Sequence, residues 1–131
     1  MKMFFARERS VGETRAALTP AVAAKLVTLG AELSVEAGLG AGSGEPDAAY
    51  QDAGAAVTSA PATAARASAM VFRIRKPELS DVAHLASGTL HISLLDPFRE
   101  TALVQALAAA GVSAISLEMI PRTTIAQKMD V

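Results

Sequence analysis

The chain has 131 residues, about half of them apolar, which is the usual size of one domain and enough to bury a core. Its twelve Lys and Arg against thirteen Asp and Glu give a formal net charge of −1, so overall charge gives no ground for binding nucleic acid or an anionic membrane surface. The absence of cysteine excludes disulfides and thiolate metal sites. We expect one folded domain without a metal.

The N-terminal residues 1–9 become charged after a short apolar run, too early for the apolar region of a signal peptide. No segment reaches the roughly 20 apolar residues that a membrane-spanning helix needs. The sequence therefore predicts a soluble chain that is not exported.

Short runs of β-branched and aromatic residues recur along the chain and predict strands. These runs are Met3–Ala6, Glu32–Glu36, Ala56–Thr58, Met70–Ile74, Thr89–Leu94 and Ser113–Leu117. Helical spacing is clearest at Ala21–Leu29 and Arg99–Ala110, and a glycine follows each of these segments. The alternation predicts an α/β fold: a doubly wound, mostly parallel sheet of about six strands with flanking helices, Rossmann-like or flavodoxin-like.

Ligands of such folds collect beyond the carboxyl ends of the strands. Two charged segments lie there, residues 7–15 after the first strand and the cluster Arg73, Arg75 and Lys76 after the fourth. A guanidinium in this place could hold a carboxylate or phosphate through two parallel hydrogen bonds. The alternatives are an ion-paired, solvated loop for the first segment and a surface pair for Arg73 and Arg75.

Three other features favour structural interpretations. The glycine-rich loop at residues 38–44 fits G-x-G-x-x-G poorly, because the third glycine position holds Ser43 or Glu45. Asp96 precedes Pro97 and is interpreted as the cap of the next helix rather than as a catalytic group. The two histidines, His84 and His91, have no partner at the spacing of a metal site or catalytic triad.

The motifs together resemble one family over essentially the whole chain. They are Arg7-Glu8-Arg9, the segment Glu13–Pro20, Glu36-Ala37-Gly38, and Met119-Ile120-Pro121-Arg122 continuing to Met129-Asp130. They resemble the N-terminal part of the NAD(H)-binding alpha subunit (domain I) of proton-translocating NAD(P) transhydrogenase, which is related to alanine dehydrogenase. The motifs near the N-terminus are common to transhydrogenase and alanine dehydrogenase. The pattern Pro-Arg-x-x-x-Ala-Gln-x-Met-Asp, in contrast, looks like the transhydrogenase Arg-Gln-Asp loop.

The resemblance implies roles for the last residues of the chain. Arg122, with Thr123 and Thr124, would bind the nicotinamide region of the cofactor. Gln127 would orient the dihydronicotinamide and Asp130 would brace the loop, and these two are the candidate catalytic residues. Because hydride passes directly between two nicotinamide rings, protein groups contribute mainly by fixing their geometry.

The resemblance also implies a larger assembly. Hydride would pass from NADH to NADP+ held by an NADP(H)-binding beta component, while a membrane component moves protons. The full-length subunit would be a homodimer, cytoplasmic and peripheral to the inner membrane through its partner subunits. The family continues into a long helix and a dinucleotide-binding domain, which residues 1–131 do not contain. We therefore expect a fragment that is inactive alone and binds NADH weakly or not at all.

Two other functions stay open. Alanine dehydrogenases use a lysine after the fourth strand and a histidine after the fifth, where this chain has Arg75 and Asp96. Arg15 matches an arginine that binds the keto-acid carboxylate in those enzymes. An amino-acid or 2-oxo-acid dehydrogenase would use Arg15 and Arg75 as cleft residues. The third possibility is a binding module that has kept the fold and lost the chemistry.

Overall fold

The computed structural model describes residues 1–119. Within them the strands are β1 (Lys2–Phe5), β2 (Glu32–Glu36), β3 (Ala56–Thr58), β4 (Met70–Arg75), β5 (Leu90–Leu94) and β6 (Ser113–Ser116). The α-helices are α1 (Pro20–Thr28), α2 (Asp47–Asp52), α3 (Pro61–Ala67), α4 (Leu79–Val82) and α5 (Thr101–Ala109). Short 3-10 helices cover Ala41–Ser43 and Leu117–Met119.

The six strands form one sheet in the order β3-β2-β1-β4-β5-β6, and every neighbouring pair is parallel. The prediction of a doubly wound α/β fold is therefore confirmed. The strand order reverses between β1 and β4, which is the topological switch point of the sheet. Between residues 1 and 119, no helix is long and apolar enough to cross a bilayer.

Helix boundaries follow from local capping. α1 begins at Pro20 because the Thr19 hydroxyl accepts a hydrogen bond from the Val22 amide at 3.3 Å, and proline suits a first helical position. α5 begins at Thr101, two residues after the predicted start. Predicted strand ends differ from the observed ones by at most one residue, within the usual uncertainty of such boundaries.

The core lies on both faces of the sheet, because successive residues of a strand point in opposite directions. Phe5 stacks on Phe72 with ring centroids 4.5 Å apart, in a cluster that includes Tyr50 of α2. Phe4 belongs to a second cluster with Ala65 of α3. A third cluster includes residues of α4 and α5 and the residues that follow β5 and precede β6; its buried members are Val82, Leu95, Leu103, Leu107 and Val112.

Candidate functional site

A cavity of about 1140 Å³ opens at the carboxyl edge of the sheet, beside the switch point between β1 and β4. Its wall comes from the segments after β1 and β4, from α4, and from the ends of β5 and β6. Charged side chains of both signs line it, among them Arg7, Glu8, Arg9, Arg75, Asp96 and Glu118. Because ligands of open α/β sheets bind at this edge, the cavity is the candidate site.

Glu8 bridges the switch point. One of its carboxylate oxygens accepts a hydrogen bond from the Ile74 amide and the other accepts from the Arg75 amide, each at 2.8 Å. The pairing of β4 with β5 shifts register between Phe72 and Arg75, so the regular ladder is interrupted where Glu8 binds. The carboxylate therefore ties the loop after β1 to the end of β4.

Glu8→Ala should lower the free energy of unfolding by about 2 kcal/mol, because two backbone amides lose a charged acceptor and are only partly compensated by water. Urea denaturation followed by circular dichroism measures the change. The matched control is Glu32→Ala, which removes the same side chain from an exposed position and should change stability by less than about 0.5 kcal/mol. Equal effects of the two substitutions would contradict this role of Glu8.

Glu36 fixes the start of the same loop from the neighbouring strand. Its side chain is 4% exposed and accepts a hydrogen bond from the Arg7 amide at 3.0 Å. It also forms an ion pair with the Arg9 guanidinium. The loop after β1 is thus held by carboxylate contacts to β2 and to β4, and it is not merely a solvated, ion-paired segment.

The predicted cleft residues Arg15 and Arg75 meet at a single carboxylate, that of Glu13. Arg15 Nη2 lies 2.7 Å from Glu13 Oε1 and Arg75 Nε lies 2.9 Å from the same oxygen. Glu13 is 5% exposed at its side chain, whereas the arginine side chains are 51% and 56% exposed. The hydrogen bonds from the Arg15 side chain are the main reason that the pKa of Glu13 is lowered to about 2.

The other cations of the predicted cluster have different acidic partners. Arg73 Nη2 lies 3.5 Å from Asp81 of α4, and Lys76 forms an ion pair with Glu100. Arg75 lines the cavity, while its guanidinium contacts Glu13 from the loop after β1. The three cations therefore do not act as one anion-binding group, since each is neutralised by a separate carboxylate.

The prediction that Asp96 caps the following helix is wrong. α5 begins at Thr101, with Glu100 in the capping position, because residues 97–99 form a turn first. The Asp96 carbonyl accepts hydrogen bonds from the Arg99 and Glu100 amides at 3.1 and 3.0 Å. Asp96 itself has a φ of +51°, in the left-handed region that asparagine and aspartate tolerate better than most residues.

Glu118 supports this turn from the end of β6. Its Oε1 accepts the Asp96 amide at 2.7 Å and the Ser116 hydroxyl at 2.8 Å. The contact connects the segments that follow β5 and β6, which form part of the cavity wall. Glu118 also stands four residues before Arg122 in the sequence, so it precedes the segment to which the resemblance assigns the chemistry.

The glycine-rich loop is a packed turn, as interpreted from its sequence. A Cβ on Gly40 would lie 2.6 Å from the Cβ of Glu45 and 2.9 Å from the Tyr50 hydroxyl, so only glycine fits there. The Gly38 amide donates to Asp47 Oδ1 at 2.8 Å. This amide is therefore engaged within the protein and is not offered to a phosphate.

The histidines lie in very different surroundings. His91 in β5 is fully buried, and its Nε2 lies 2.9 Å from the Ser93 hydroxyl. Burial lowers the pKa of His91 to about 4. His84 is exposed in the turn after α4. Over residues 1–119, no group of three or more His, Cys, Asp and Glu side chains is placed to hold a metal ion.

The cofactor-binding and catalytic residues predicted by resemblance lie outside the described residues. They are Arg122, Thr123, Thr124, Gln127 and Asp130. Their roles stay predictions.

The sequence analysis assigned no individual role to four acidic residues that hold the segments at this edge of the sheet, namely Glu8, Glu13, Glu36 and Glu118. Each residue lies at the carboxyl end of a strand or in the segment that follows it. This position was the one feature of the sequence that could have indicated a role at the ligand-binding edge of the sheet. Their partners could not be read from spacing, because Glu8 and Glu13 contact residues 62 to 67 positions away.

The family model described as alanine dehydrogenase/PNT, N-terminal domain, matches residues 5–131, so the chain belongs to that family. NAD(P) transhydrogenase subunit alpha from Cereibacter sphaeroides is 35% identical over 130 aligned positions, covering 99% of this chain and 25% of that protein. The solved transhydrogenase from Sinorhizobium meliloti superposes with a TM-score of 0.93 at 35% identity, over 99% of this chain and 39% of its own.

Alanine dehydrogenase from Bacillus subtilis is also similar, at 33% identity over 114 positions, 87% of this chain and 30% of that enzyme. The resemblance to the N-terminal part of a transhydrogenase alpha subunit is thereby confirmed, together with the kinship to alanine dehydrogenase. The chain spans 25% to 39% of the length of these relatives.

Proposed function

We propose that residues 1–131 are the first domain of the NAD(H)-binding alpha subunit of a proton-translocating NAD(P) transhydrogenase. In this proposal hydride passes from NADH to NADP+ only when a dinucleotide-binding domain, an NADP(H)-binding beta component and a membrane component are also present. The subunit would be a homodimer on the cytoplasmic side of the membrane. The observation that carries the proposal is the agreement over 99% of the chain with proteins named transhydrogenase.

The backbone amides of Gly38, Ile74 and Arg75 are not available to the phosphates of a dinucleotide. A pyrophosphate needs backbone amides at a glycine-rich turn or a helix N-terminus. The Gly38 amide is bonded to Asp47, and the Ile74 and Arg75 amides are bonded to Glu8. This supports an arrangement in which the dinucleotide-binding domain of the subunit binds the phosphates of NAD(H), and residues of this chain contact its nicotinamide.

In this proposal the chain contributes to hydride transfer by positioning the nicotinamide ring. NADH and NADP+ supply the hydride donor and acceptor, and no protein nucleophile or general base is needed. Arg122, flanked by Thr123 and Thr124, would contact the nicotinamide region and Gln127 would set its orientation. Asp130 would brace the segment, and Glu118 would hold its beginning against the turn at Asp96. Precise alignment of the reacting atoms is worth several orders of magnitude in rate.

Gln127→Ala should lower the rate of hydride transfer about 10- to 100-fold, because a misplaced nicotinamide loses the near-attack geometry. The measurement is stopped-flow hydride transfer between NADH and an NADP+ analogue, using the full-length alpha subunit mixed with its beta component. Fluorescence titration of NADH with the same protein separates the loss of rate from a loss of binding.

Lys128→Ala is the control, since it alters the same segment at a position that the pattern Pro-Arg-x-x-x-Ala-Gln-x-Met-Asp leaves free. It should retain the wild-type rate within about twofold. Hydride transfer at the wild-type rate by the Gln127→Ala protein would contradict the role of Gln127 in orienting the nicotinamide. Pyruvate-dependent oxidation of NADH by the full-length gene product would instead favour a dehydrogenase.

The similarity to Bacillus subtilis alanine dehydrogenase and the convergence of Arg15 and Arg75 on one carboxylate favour a 2-oxo-acid dehydrogenase as the second candidate. Arg15 and Arg75 would then hold the substrate carboxylate. The same geometry weakens this candidate, because a carboxylate of the chain itself already lies between the two guanidiniums.

A further inference from the structure

The two sides of β5 are buried in the reverse of the order expected from their polarity. The polar residues His91 and Ser93 are fully buried, whereas Leu90 and Ile92, which point to the opposite face of the sheet, are only half-buried. The neighbouring strand β6 continues this pattern, because Ile115 pairs with Ile92 and is 42% exposed. One face of the sheet at β5 and β6 is therefore apolar and incompletely covered.

This face is the one on which α1 and α2 pack. Phe5 and Phe72 align with Ile92 across the parallel register, and Phe5 belongs to the cluster that includes Ala23 of α1 and Tyr50 of α2. α3 packs on the opposite face, with the alternate residues of β1 and β4. Because α1 contacts β2 and α2 contacts β3, both helices lie over the half of this face that β1, β2 and β3 form.

Leu90, Ile92 and Ile115 form the open face of the sheet. None of the three belongs to a core cluster of the described residues 1–119, although parallel sheets in α/β proteins are covered by helices on both faces. We propose that the open face is the docking site of one amphipathic α-helix from the part of the full-length subunit outside residues 1–131. This inference rests on the proposed function, because it requires the longer subunit.

The flank of α1 beside the open face is apolar as well. Val27 faces α2, since a Cβ on Gly54, just after α2, would lie 3.1 Å from its side chain. Val22 and Leu29 are about 140° and about 160° from Val27 around the helix, so they point away from α2. These two side chains are 45% and 83% exposed. The open face is thus the floor of a groove whose wall is the apolar flank of α1.

The dimensions of the groove fit one helix and not a second copy of the chain. The three strands β4, β5 and β6 span about 14 Å at about 4.8 Å per strand, and an α-helix with its side chains is about 10–12 Å wide. Five residues of strand extend about 16 Å, so the floor has an area of about 220 Å². A stable dimer needs about 800 Å² from each partner, which the open face does not provide.

The longer relatives contain the length of chain from which such a helix can come. The 131 residues span 25% to 39% of the length of these relatives, so most of the subunit in the proposed function lies outside them. The side chains of the open face and of the α1 flank are uncharged. The docked helix therefore carries a stripe of apolar residues toward the sheet and polar residues on its outer side.

The test is the reactivity of a single introduced thiol, since residues 1–131 contain no cysteine. Ile115→Cys in the 131-residue chain should react rapidly with a maleimide, because this position is exposed. In the full-length subunit the same thiol should react at least about tenfold more slowly, because a covered thiol reacts only when the structure opens locally. The full-length subunit without the substitution gives the background reaction.

Val104→Cys is the matched control, since Val104 is 38% exposed and lies on α5, outside the groove. It should react at the same rate in the 131-residue chain and in the full-length subunit. Equal rates for Ile115→Cys in the two proteins would overturn the proposal. If Ile115→Cys does not fold, Ser113→Cys reports on the same face of β6, because Ser113 pairs with Leu90.

A photo-crosslinker attached to the thiol of full-length Ile115→Cys identifies the occupant of the groove. Mass spectrometry should find the cross-link within one polypeptide, to a residue outside residues 1–131. A cross-link between two subunits, or cross-links confined to residues 1–131, would overturn the proposal. Hydride transfer by the unsubstituted full-length subunit is measured separately, so failure of the transhydrogenase assignment is distinguishable from failure of the docking site.

Discussion

Tyr50→Ala should lower the free energy of unfolding by about 3–5 kcal/mol, the range found for deleting a buried aromatic ring. Tyr50 is fully buried and packs in the cluster that contains Phe5 and Val35. Its hydroxyl donates to the Leu18 carbonyl at 2.7 Å, so it also fixes the segment between β1 and α1. Urea denaturation of the wild-type and variant chains at about 25 °C gives the difference.

Tyr50→Phe separates packing from the hydrogen bond. It keeps the ring and leaves the Leu18 carbonyl without its donor, which should cost about 1–2 kcal/mol. The remaining loss in Tyr50→Ala is then the contribution of the ring. A Tyr50→Ala chain that is within about 1 kcal/mol of wild type would show that the ring is not essential to this part of the core.

Acidification should destabilise the chain between about pH 6.5 and pH 4 by about 3 kcal/mol through His91 alone. Burial lowers the pKa of His91 from 6.5 to about 4, with a further lowering by the Arg73 charge that Asp81 partly offsets. The unfolded chain therefore binds a proton in this window that the folded chain does not. Stability from this source is complete above about pH 6.5, falls with decreasing pH, and levels off below about pH 4.

Urea denaturation at successive pH values measures this decrease in the free energy of unfolding. His91→Gln should remove the part that comes from His91, because an amide does not titrate. His84→Gln, which removes the exposed histidine, should retain the wild-type fall. Glu13 adds a separate loss at lower pH, because its folded-state pKa of about 2 lies below its ordinary value of 4.5. An unchanged pH dependence in His91→Gln would contradict the role given to His91.

The sequence predicted the strands well, because their signal is local. Runs such as Met70–Ile74 carry their β preference in consecutive residues, and helices such as Ala21–Leu29 carry theirs in the spacing of apolar residues. The interpretation of Asp96 as a helix cap was wrong because the contact that decides its conformation is not local. The turn after Asp96 is supported by Glu118, which lies 22 positions away and has no signature in the local sequence.

The candidate site was predictable only as a location and as a set of charged residues. The carboxyl edge of the sheet and the charged cluster with Arg75 followed from the alternation of strands and helices and from residue type, whereas Arg15 was named as a cleft residue through the resemblance to alanine dehydrogenase. The presence of Glu13 between these arginines did not, because it depends on a 2.9 Å contact between segments 62 residues apart. The roles of Arg122, Gln127 and Asp130 rest on family resemblance and stay predictions.

The sequence by itself determined the alternation of strands and helices, the position of the turns and the kinship carried by the Glu13–Pro20 and Pro121–Asp130 motifs. These properties are encoded in neighbouring residues or in a pattern of fixed spacing. Only the tertiary structure decided which carboxylate meets which cation, since the sheet order brings the ends of β1, β2 and β4 together from distant parts of the chain. Ion pairs act through distances of a few ångströms, and the fold alone sets those distances.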